Sequence, residues 1–191
     1  LLKKGAVMGD SFGLENALWF AKNEKDAYEE PTFKRSRSHN YIAEEIKAVR
    51  TAVGAIEIAN FAKHEFTGPG ARNFLDYVLA GNIPKSGRIV LTPMLTHKGK
   101  LYGDLTVACL NENKFMLFGS GAAQEMHRRW FEKFLPKNGV TYKNRSDDFH
   151  GIAIAGPNSR KLLSKICRDD VSNEALPFRD TRETFVGGVP V

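Results

Sequence analysis

Hydrophobic positions recur with helical spacing in some segments of the chain and alternate with polar positions in others, which predicts a mixture of helices and strands. Residues 101–110 form the clearest alternating strand, and residues 88–96 form a second strand in which Pro93 indicates an edge position or a bulge. A helix is predicted from Tyr41 up to Gly54, whereas residues 1–35 show no sustained period and are predicted to be irregular. The other predicted elements are strands over 55–67, 114–118, 140–146 and 149–154 and helices over 71–79, 121–135 and 159–167.

Two strand-turn-helix segments have similar sequences. The dipeptides Gly68-Pro69 and Gly156-Pro157 each follow an apolar strand and precede a helical pattern, and they lie 88 residues apart. Such a dipeptide turns the chain and presets the φ angle at the start of a helix. Lys98-Gly99 and Gly187-Gly188 repeat this offset to within one residue, at positions where tight hairpin turns are expected. The pattern predicts an α+β fold of duplicated strand-turn-helix halves with mostly antiparallel sheets.

The same offset predicts that the second copy is incomplete. The counterpart of strand 101–110 would begin at Val189, yet the sequence ends at Val191. A hairpin arm without its partner leaves backbone donors and acceptors unpaired. We therefore expect a truncated piece of a longer protein, whose open C-terminal strand would also permit self-association.

The composition is that of a soluble globular protein, with 42% hydrophobic and 26% charged residues. No apolar run approaches the roughly 18 residues that a membrane span needs, and the N-terminus lacks the features of a secretion signal. Two cysteines, Cys109 and Cys167, favour a reducing compartment over a disulfide framework, so a cytoplasmic location is expected. These features favour a globular protein over a membrane protein or a disulfide-stabilised secreted domain.

The net charge of +6 is spread over the sequence rather than concentrated in a binding motif. The densest basic segments are residues 34–37 and 127–129, and the remaining excess is interspersed with acidic residues. No RNA-binding, zinc-finger or helix-turn-helix motif is present, so a nucleic-acid partner is not predicted. A solvated surface or an anionic small ligand accounts for the charge equally well.

Asp104 is the most unusual residue of the strand over 101–110. One face of this strand carries Gly103, Leu105 and Val107, and the other carries Asp104 and Thr106. Because aspartate is depleted in strand interiors, the presence of Asp104 in the middle of this strand requires an explanation. Either this face of the sheet is solvated, or the carboxylate is held rigidly for hydrogen bonding or proton transfer to a ligand.

The segment Phe118-Gly119-Ser120-Gly121 lies between a strand and a helix, as a dinucleotide-binding fingerprint would. The third glycine of that fingerprint is replaced by Gln124, and the ribose-binding acid is missing. Nicotinamide or flavin binding by this chain is therefore not predicted, and the glycines indicate a close approach of the backbone to a ligand or strand. The histidines lack metal-ligand spacing, and no nucleophile motif is found.

Residues 91–107, with the sequence LTPMLTHKGKLYGDLTV, resemble a segment of the dimethylglycine and sarcosine dehydrogenases. The C-terminal half of those enzymes is similar to the glycine-cleavage T-protein. Further similar segments are Phe61-Ala62-Lys63, residues 67–71, the second Gly-Pro turn and residues 172–178. The resemblance extends over almost the whole chain.

The resemblance implies a T-protein-like, tetrahydrofolate-binding aminomethyltransferase fold in which Asp104 contacts the folate. A carboxylate there would be catalytic, because it can orient the folate N–H, accept its proton and stabilise positive charge on the one-carbon unit. Phe61 lies where the family has an apolar residue beside the pterin, although an ordinary core aromatic is an equal alternative. Ser120 aligns with an asparagine of the T-protein and is a further candidate for cofactor binding.

The resemblance also implies the domain organisation and the compartment. Residues 1–40 would be an arm from an upstream flavin domain, which alone would hold FAD, and residues 41–191 would be the incomplete folate-binding domain. In a eukaryote the compartment would be the mitochondrial matrix. The isolated chain is expected to be inactive.

The residues and the family resemblance leave two candidate functions for this chain. The first is tetrahydrofolate-dependent transfer of a methylene unit from a methylated amine such as dimethylglycine or sarcosine. The second is a non-catalytic module of the same fold that contacts RNA or a partner protein through its basic surface. The residues do not select the one-carbon donor.

Overall fold

In the computed structural model, which describes residues 1–11 and 13–191, strands and helices are mixed along the chain in an α+β order. The helices are α1 (His39–Thr51), α2 (Ala71–Val78), α3 (Gln124–Phe134) and α4 (Ser159–Ile166). The strands are β1 (Ala6–Ser11), β2 (Leu14–Phe20), β3 (Gly54–Glu57), β4 (Ala62–Thr67), β5 (Arg88–Leu95), β6 (Leu101–Asn111), β7 (Lys114–Gly119), β8 (Thr141–Asn144), β9 (Ile152–Ala155), β10 (Phe185–Val186) and β11 (Val189–Pro190). Within the described residues, no helix is both long enough and apolar enough to span a bilayer.

The largest sheet has five strands in the order β5-β6-β7-β4-β8, and each neighbouring pair is antiparallel. Helices α2 and α3 contribute Leu75 and Phe131 to a core that also contains Phe66, Leu105 and Leu117 from the sheet. All five side chains are fully buried. The predicted alternation along β6 is confirmed here, because Leu105, Val107 and Cys109 all face this core.

Pro93 lies on β5, which is an edge strand of this sheet. The pairing of β5 with β6 shifts register between Met94 and Leu95, and the extra residue, Tyr102, lies on β6 rather than on the strand that carries the proline. Proline cannot donate to a neighbouring strand, and an edge position removes that requirement. The edge position predicted from Pro93 is therefore confirmed.

The duplicated turns have the same backbone conformation. Gly68 has φ 116° and Gly156 has φ 117°, values that L side chains rarely adopt. In the first turn the Gly70 N–H donates to the Gly139 carbonyl at 2.9 Å, and in the second the Asn158 N–H donates to the Ala52 carbonyl at 2.9 Å. Helices α2 and α4 follow at the same distance from the two glycines. The predicted duplication of a strand-turn-helix unit is therefore confirmed.

The prediction that residues 1–35 are irregular was wrong for the two strands β1 and β2, whereas residues 21–35 contain no strand and only a short 3-10 helix at Glu24–Asp26. Strands β1 and β2 form an antiparallel hairpin in which Ala6 pairs with Phe20 and Ser11 pairs with Leu14. The hairpin buries Trp19, whose ring lies 5.2 Å from that of Tyr41 on α1. One aromatic residue and a few small side chains supply this cluster, so the sequence had no sustained alternation to reveal it.

The predicted strand over residues 55–67 is two separate strands, β3 and β4. The intervening residues 58–61 form a loop in which the Phe61 N–H donates to the Ile58 carbonyl at 3.4 Å. At the C-terminus, Gly187 and Gly188 both have positive φ, so they form the predicted tight turn between β10 and β11.

The chain divides into two compact units. One comprises Leu1–Gly54 with Ile154–Ser159, and the other comprises Ala55–Ala153 with Arg160–Val191. The five-stranded sheet and its core lie entirely in the second unit, which also contains all the residues of the candidate site described next.

Candidate functional site

A concave pocket of about 270 Å³ lies on the five-stranded sheet, on the face opposite the core. Antiparallel pairing places Leu91 beside Thr106 and Thr106 beside Phe118, so these three residues share one face of the sheet. Asp104 lies two residues from Thr106 on the same strand and therefore on the same face. The lining residues are Asn60, Phe61, Leu91, Asp104, Thr106, Phe118, Gly119, Ser120 and Gly121.

The face that carries Asp104 is not a solvated sheet surface along its whole length. Ala108 and its cross-strand neighbour Met116 are buried, and so is Lys63 in the row that contains Phe118. Asp104 itself is exposed and borders the pocket. This face is therefore solvated at Asp104, as the first alternative expected, and covered towards Ala108 and Met116, and the exposed carboxylate lies at the border of the pocket.

The loop before β4 supplies one wall of the pocket. Phe61 is 45% exposed and lines the pocket, so it is not a core aromatic. The segment after β7 supplies the adjoining wall, with Ser120 exposed at its rim. These two segments are in close contact, because a Cβ atom on Gly121 would lie 1.9 Å from the carbonyl oxygen of Asn60. The close backbone approach predicted from the glycines is therefore present.

The structure brings together the three residues that the sequence nominated, Asp104, Phe61 and Ser120, around this one pocket. They come from the middle of β6, the loop before β4 and the end of β7. Sequence reasoning did not nominate Leu91 and Thr106, which also line it. Alternation with the buried Leu105 was the signal that would have found Thr106, and cross-strand pairing places Leu91 next to it.

Two buried histidines lie beneath the pocket on the core side of the sheet. The rings of His64 on β4 and His127 on α3 are 6.1 Å apart between centroids. His64 Nδ1 is 2.9 Å from the hydroxyl of Tyr142, whereas His64 Nε2 and both ring nitrogens of His127 have no partner among the described residues. A Cβ atom on Gly103, the residue before Asp104, would lie 2.4 Å from His127 Nε2. The absence of a side chain at Gly103 therefore makes room for this imidazole.

Burial keeps both imidazoles neutral. Desolvation lowers the pKa of His64 to about 4, with a smaller contribution from His127. Desolvation also lowers the pKa of His127, and the negative charge of Asp104 opposes this shift only in part. The sequence showed only that the histidines lack metal-ligand spacing, and it gave no sign of these unpaired nitrogens, which depend on contacts between distant elements.

The pocket combines groups suited to a flat heterocycle that carries N–H groups. The Asp104 carboxylate can accept hydrogen bonds, Phe61 offers an aromatic face and Leu91 offers an aliphatic one. The volume lies near the lower end of the range of about 300–1,000 Å³ usual for small-molecule sites, so the pocket fits a ring system better than a long ligand. Among the described residues, no three or more His, Cys, Asp or Glu side chains are grouped to hold a metal ion.

This fold and pocket define an antiparallel α+β domain with a concave pocket on its sheet, and comparison with known proteins identifies its family. The family model described as the GCVT N-terminal domain matches residues 1–191, the whole chain. The chain therefore belongs to the GCVT N-terminal domain family, which confirms the resemblance found in the sequence.

Individual relatives agree with this assignment. The mitochondrial dimethylglycine dehydrogenase of Mus musculus is 33% identical over 193 residues, which cover 100% of this chain and 22% of that protein. An aminomethyltransferase of Staphylococcus epidermidis is 30% identical over 147 residues, which cover 75% of this chain and 40% of that protein. The chain thus spans less than half the length of either relative.

A solved structure shows the same fold. The crystal structure of glycine cleavage system aminomethyltransferase T from Bartonella henselae superimposes with a TM-score of 0.70 at 20% sequence identity. The superposition covers 95% of this chain and 45% of that chain. The predicted α+β, T-protein-like fold is therefore confirmed.

Proposed function

We propose that this chain is the part of a one-carbon-transfer protein that binds tetrahydrofolate, with the pterin ring in the pocket bordered by Asp104. The observation that carries the proposal is the position of one exposed carboxylate beside an exposed aromatic ring on a rigid antiparallel sheet. Membership of a family that includes aminomethyltransferases supports the same chemistry.

Asp104 would be the catalytic residue. Tetrahydrofolate, when bound, supplies the amine that takes up the one-carbon unit. The Asp104 carboxylate can accept a hydrogen bond from a ligand N–H, stabilise a neighbouring positive charge and receive the proton that is released. Strand β6 is paired with β5 at Asp104 and with both β5 and β7 from Thr106 onward, so the carboxylate is held on a regular element of the sheet.

Phe61 and Leu91 would hold the ring in place. Both are apolar and exposed, at 45% and 65%, and both line the pocket. An aromatic face and an aliphatic side chain would remove the two faces of a flat heterocycle from water. Ser120 at the rim can donate or accept one hydrogen bond to the ligand.

The one-carbon donor is proposed to be a methylated amine. The relative from Mus musculus is named for dimethylglycine, and this chain matches it along its entire length. Any flavin that oxidises such an amine would belong to a part of the protein outside residues 1–191, since residues 118–121 do not form a dinucleotide fingerprint.

Calorimetric titration of the full-length protein with tetrahydrofolate tests this proposal. Asp104→Asn keeps the shape of the side chain and removes its charge, and Asp76→Asn on the exposed side of α2 is the matched control. A hydrogen bond to a charged group contributes about 1.5–3 kcal/mol, so Asp104→Asn should raise Kd by roughly 10- to 150-fold. Equal affinities for the two variants would refute the role of Asp104. Salt-dependent RNA binding without any response to folate would instead select the non-catalytic module.

A further inference from the structure

Lys63 on β4 is a buried lysine whose ammonium group is bound by main-chain carbonyls. The side chain is 3% exposed, and Nζ donates to the carbonyl oxygens of Ala59 and Phe61, both at 2.8 Å, and of Ser146 at 3.4 Å. The main chain of Lys63 is also fixed, since its N–H donates to Ser146 Oγ at 3.0 Å and its carbonyl accepts from the Arg145 N–H at 2.8 Å.

This arrangement satisfies an otherwise costly buried charge. An ammonium group has three donors and no acceptor, and Lys63 directs one donor to each of three carbonyl oxygens. Rings of carbonyl dipoles bind monovalent cations in the same way. The three acceptors are neutral carbonyls rather than carboxylates, so the ammonium group acts as a fixed cation between the Ala59–Phe61 loop and Ser146.

The loop that Lys63 holds is the wall of the candidate pocket. Lys63 pairs across the sheet with Phe118, a pocket residue, and therefore lies on the pocket face of the sheet. Two of its acceptors flank Asn60, and both Asn60 and Phe61 line the pocket. The other side of the loop is limited by Gly121, where a Cβ atom would collide with the Asn60 carbonyl.

We propose that Lys63 is a positioning residue whose ammonium group fixes the Ala59–Phe61 loop as a wall of the pocket. The other restraints on the loop are local, since the Phe61 N–H donates to the Ile58 carbonyl at 3.4 Å and the Ala59 N–H donates to the Glu57 carboxylate at 2.5 Å, whereas Lys63 binds both ends of the loop. Lys63 thereby sets the orientation of the Phe61 ring without contacting the ligand. The part of this inference that concerns ligand affinity rests on the proposed folate function, whereas the part that concerns the loop does not.

The test uses Lys63→Met in the full-length protein. Methionine keeps an unbranched stem and removes the charge and all three donors, so a role in packing alone predicts wild-type behaviour. The matched control is Lys143→Met, which makes the same substitution at an exposed position on the neighbouring strand β8. Lys63→Arg keeps the charge and the donors in a different geometry.

Two readouts separate this proposal from the proposed function. Hydrogen exchange of the Phe61 amide should become about 10- to 100-fold faster in Lys63→Met, as loss of hydrogen bonds to a charged group implies. The amides of Val107 and Leu117 in the core strands should exchange at the wild-type rate. The Kd for tetrahydrofolate should rise by about tenfold, and Lys63→Arg should lie closer to the wild type in both readouts.

Unchanged Phe61 exchange in Lys63→Met, relative to Lys143→Met, would overturn the proposal. Equal loosening in Lys63→Arg and Lys63→Met would also overturn it, because the charge and the donors would then be irrelevant. If the wild-type protein does not bind tetrahydrofolate, the proposed function fails and the exchange of Phe61 still decides the role of Lys63. If Lys63→Met does not fold, the comparison of Lys63→Arg with the wild type decides it, because arginine cannot reproduce the lysine geometry at the three carbonyls. Faster exchange confined to the Phe61 amide supports the role, whereas wild-type exchange at Phe61, or faster exchange spread over Val107 and Leu117, contradicts it.

Discussion

The buried imidazole of His64 should make the stability of this protein depend on pH between about 4 and 6.5. Its pKa is lowered from 6.5 to about 4 in the folded state, because burial disfavours the charged ring. Between these two pH values the unfolded chain binds a proton that the folded protein does not. Unfolding therefore becomes easier as the pH falls through this interval, and the contribution is fully present above pH 6.5.

The magnitude follows from the shift. Each unit of pKa difference corresponds to about 1.36 kcal/mol, so His64 should account for about 3 kcal/mol of stability lost between pH 7 and pH 4. The groups that face His64 are His127 on α3, whose pKa is also lowered, the hydroxyl of Tyr142 on β8 and the carboxylate of Glu125. His127 adds a loss of the same sign, since burial also lowers its pKa in the folded state.

The perturbation is His64→Phe, which keeps an aromatic ring in contact with Phe131 and removes the titrating group. Urea unfolding followed by tryptophan fluorescence at several pH values from 4 to 7.5 gives the free energy of unfolding for the variant and the wild type. The variant should lose about 3 kcal/mol less than the wild type over this range. His150→Phe, at an exposed position, controls for the loss of an imidazole. Parallel pH profiles for the wild type and His64→Phe would refute the reasoning.

Two further predictions concern the glycines around the pocket. Gly103→Ala would place a Cβ atom 2.4 Å from His127 Nε2, so it should lower the free energy of unfolding in urea by about 1–3 kcal/mol. In a double-mutant cycle, His127→Ala should relieve part of that loss. Additive effects of the two substitutions would contradict the contact. Gly121→Ala would force the Asn60 carbonyl to move, so it should weaken tetrahydrofolate binding at least about tenfold in calorimetry. The core amides should exchange at the wild-type rate. Wild-type affinity would show that the pocket tolerates a displaced wall.

The parts of the fold that the sequence predicted correctly depend on local signals. Proline at position 93 and the Gly-Pro turns restrict the backbone within a few residues, so the edge strand and the helix starts could be predicted locally. The alternation along β6 predicted which of its side chains face the core. The N-terminal hairpin gave no such signal. Its stability comes from Trp19 packing against Tyr41, two residues that are distant in sequence.

Part of the candidate site was predicted from the sequence, and part of it was not. Asp104 was conspicuous because its residue type is unusual in a strand, and its surroundings followed from the family resemblance. The role inferred for Lys63 could not be predicted, because one of its acceptors is the carbonyl of Ser146, 83 residues further along the chain. The neutral pair of His64 and His127 was hidden for the same reason, since burial depends on how α3 packs against the sheet.

The central claim is that the pocket beside Asp104 binds reduced folate, and hydrogen exchange of the full-length protein with and without tetrahydrofolate tests it most directly. Bound ligand should slow the exchange of amides in residues 60–61 and 118–121, which line the pocket, and leave those of the N-terminal hairpin unchanged. The same titration with Asp104→Asn should show this protection only at higher ligand concentration. Saturating tetrahydrofolate that protects other segments, or none, while residues 60–61 and 118–121 exchange at their free rates would contradict the account.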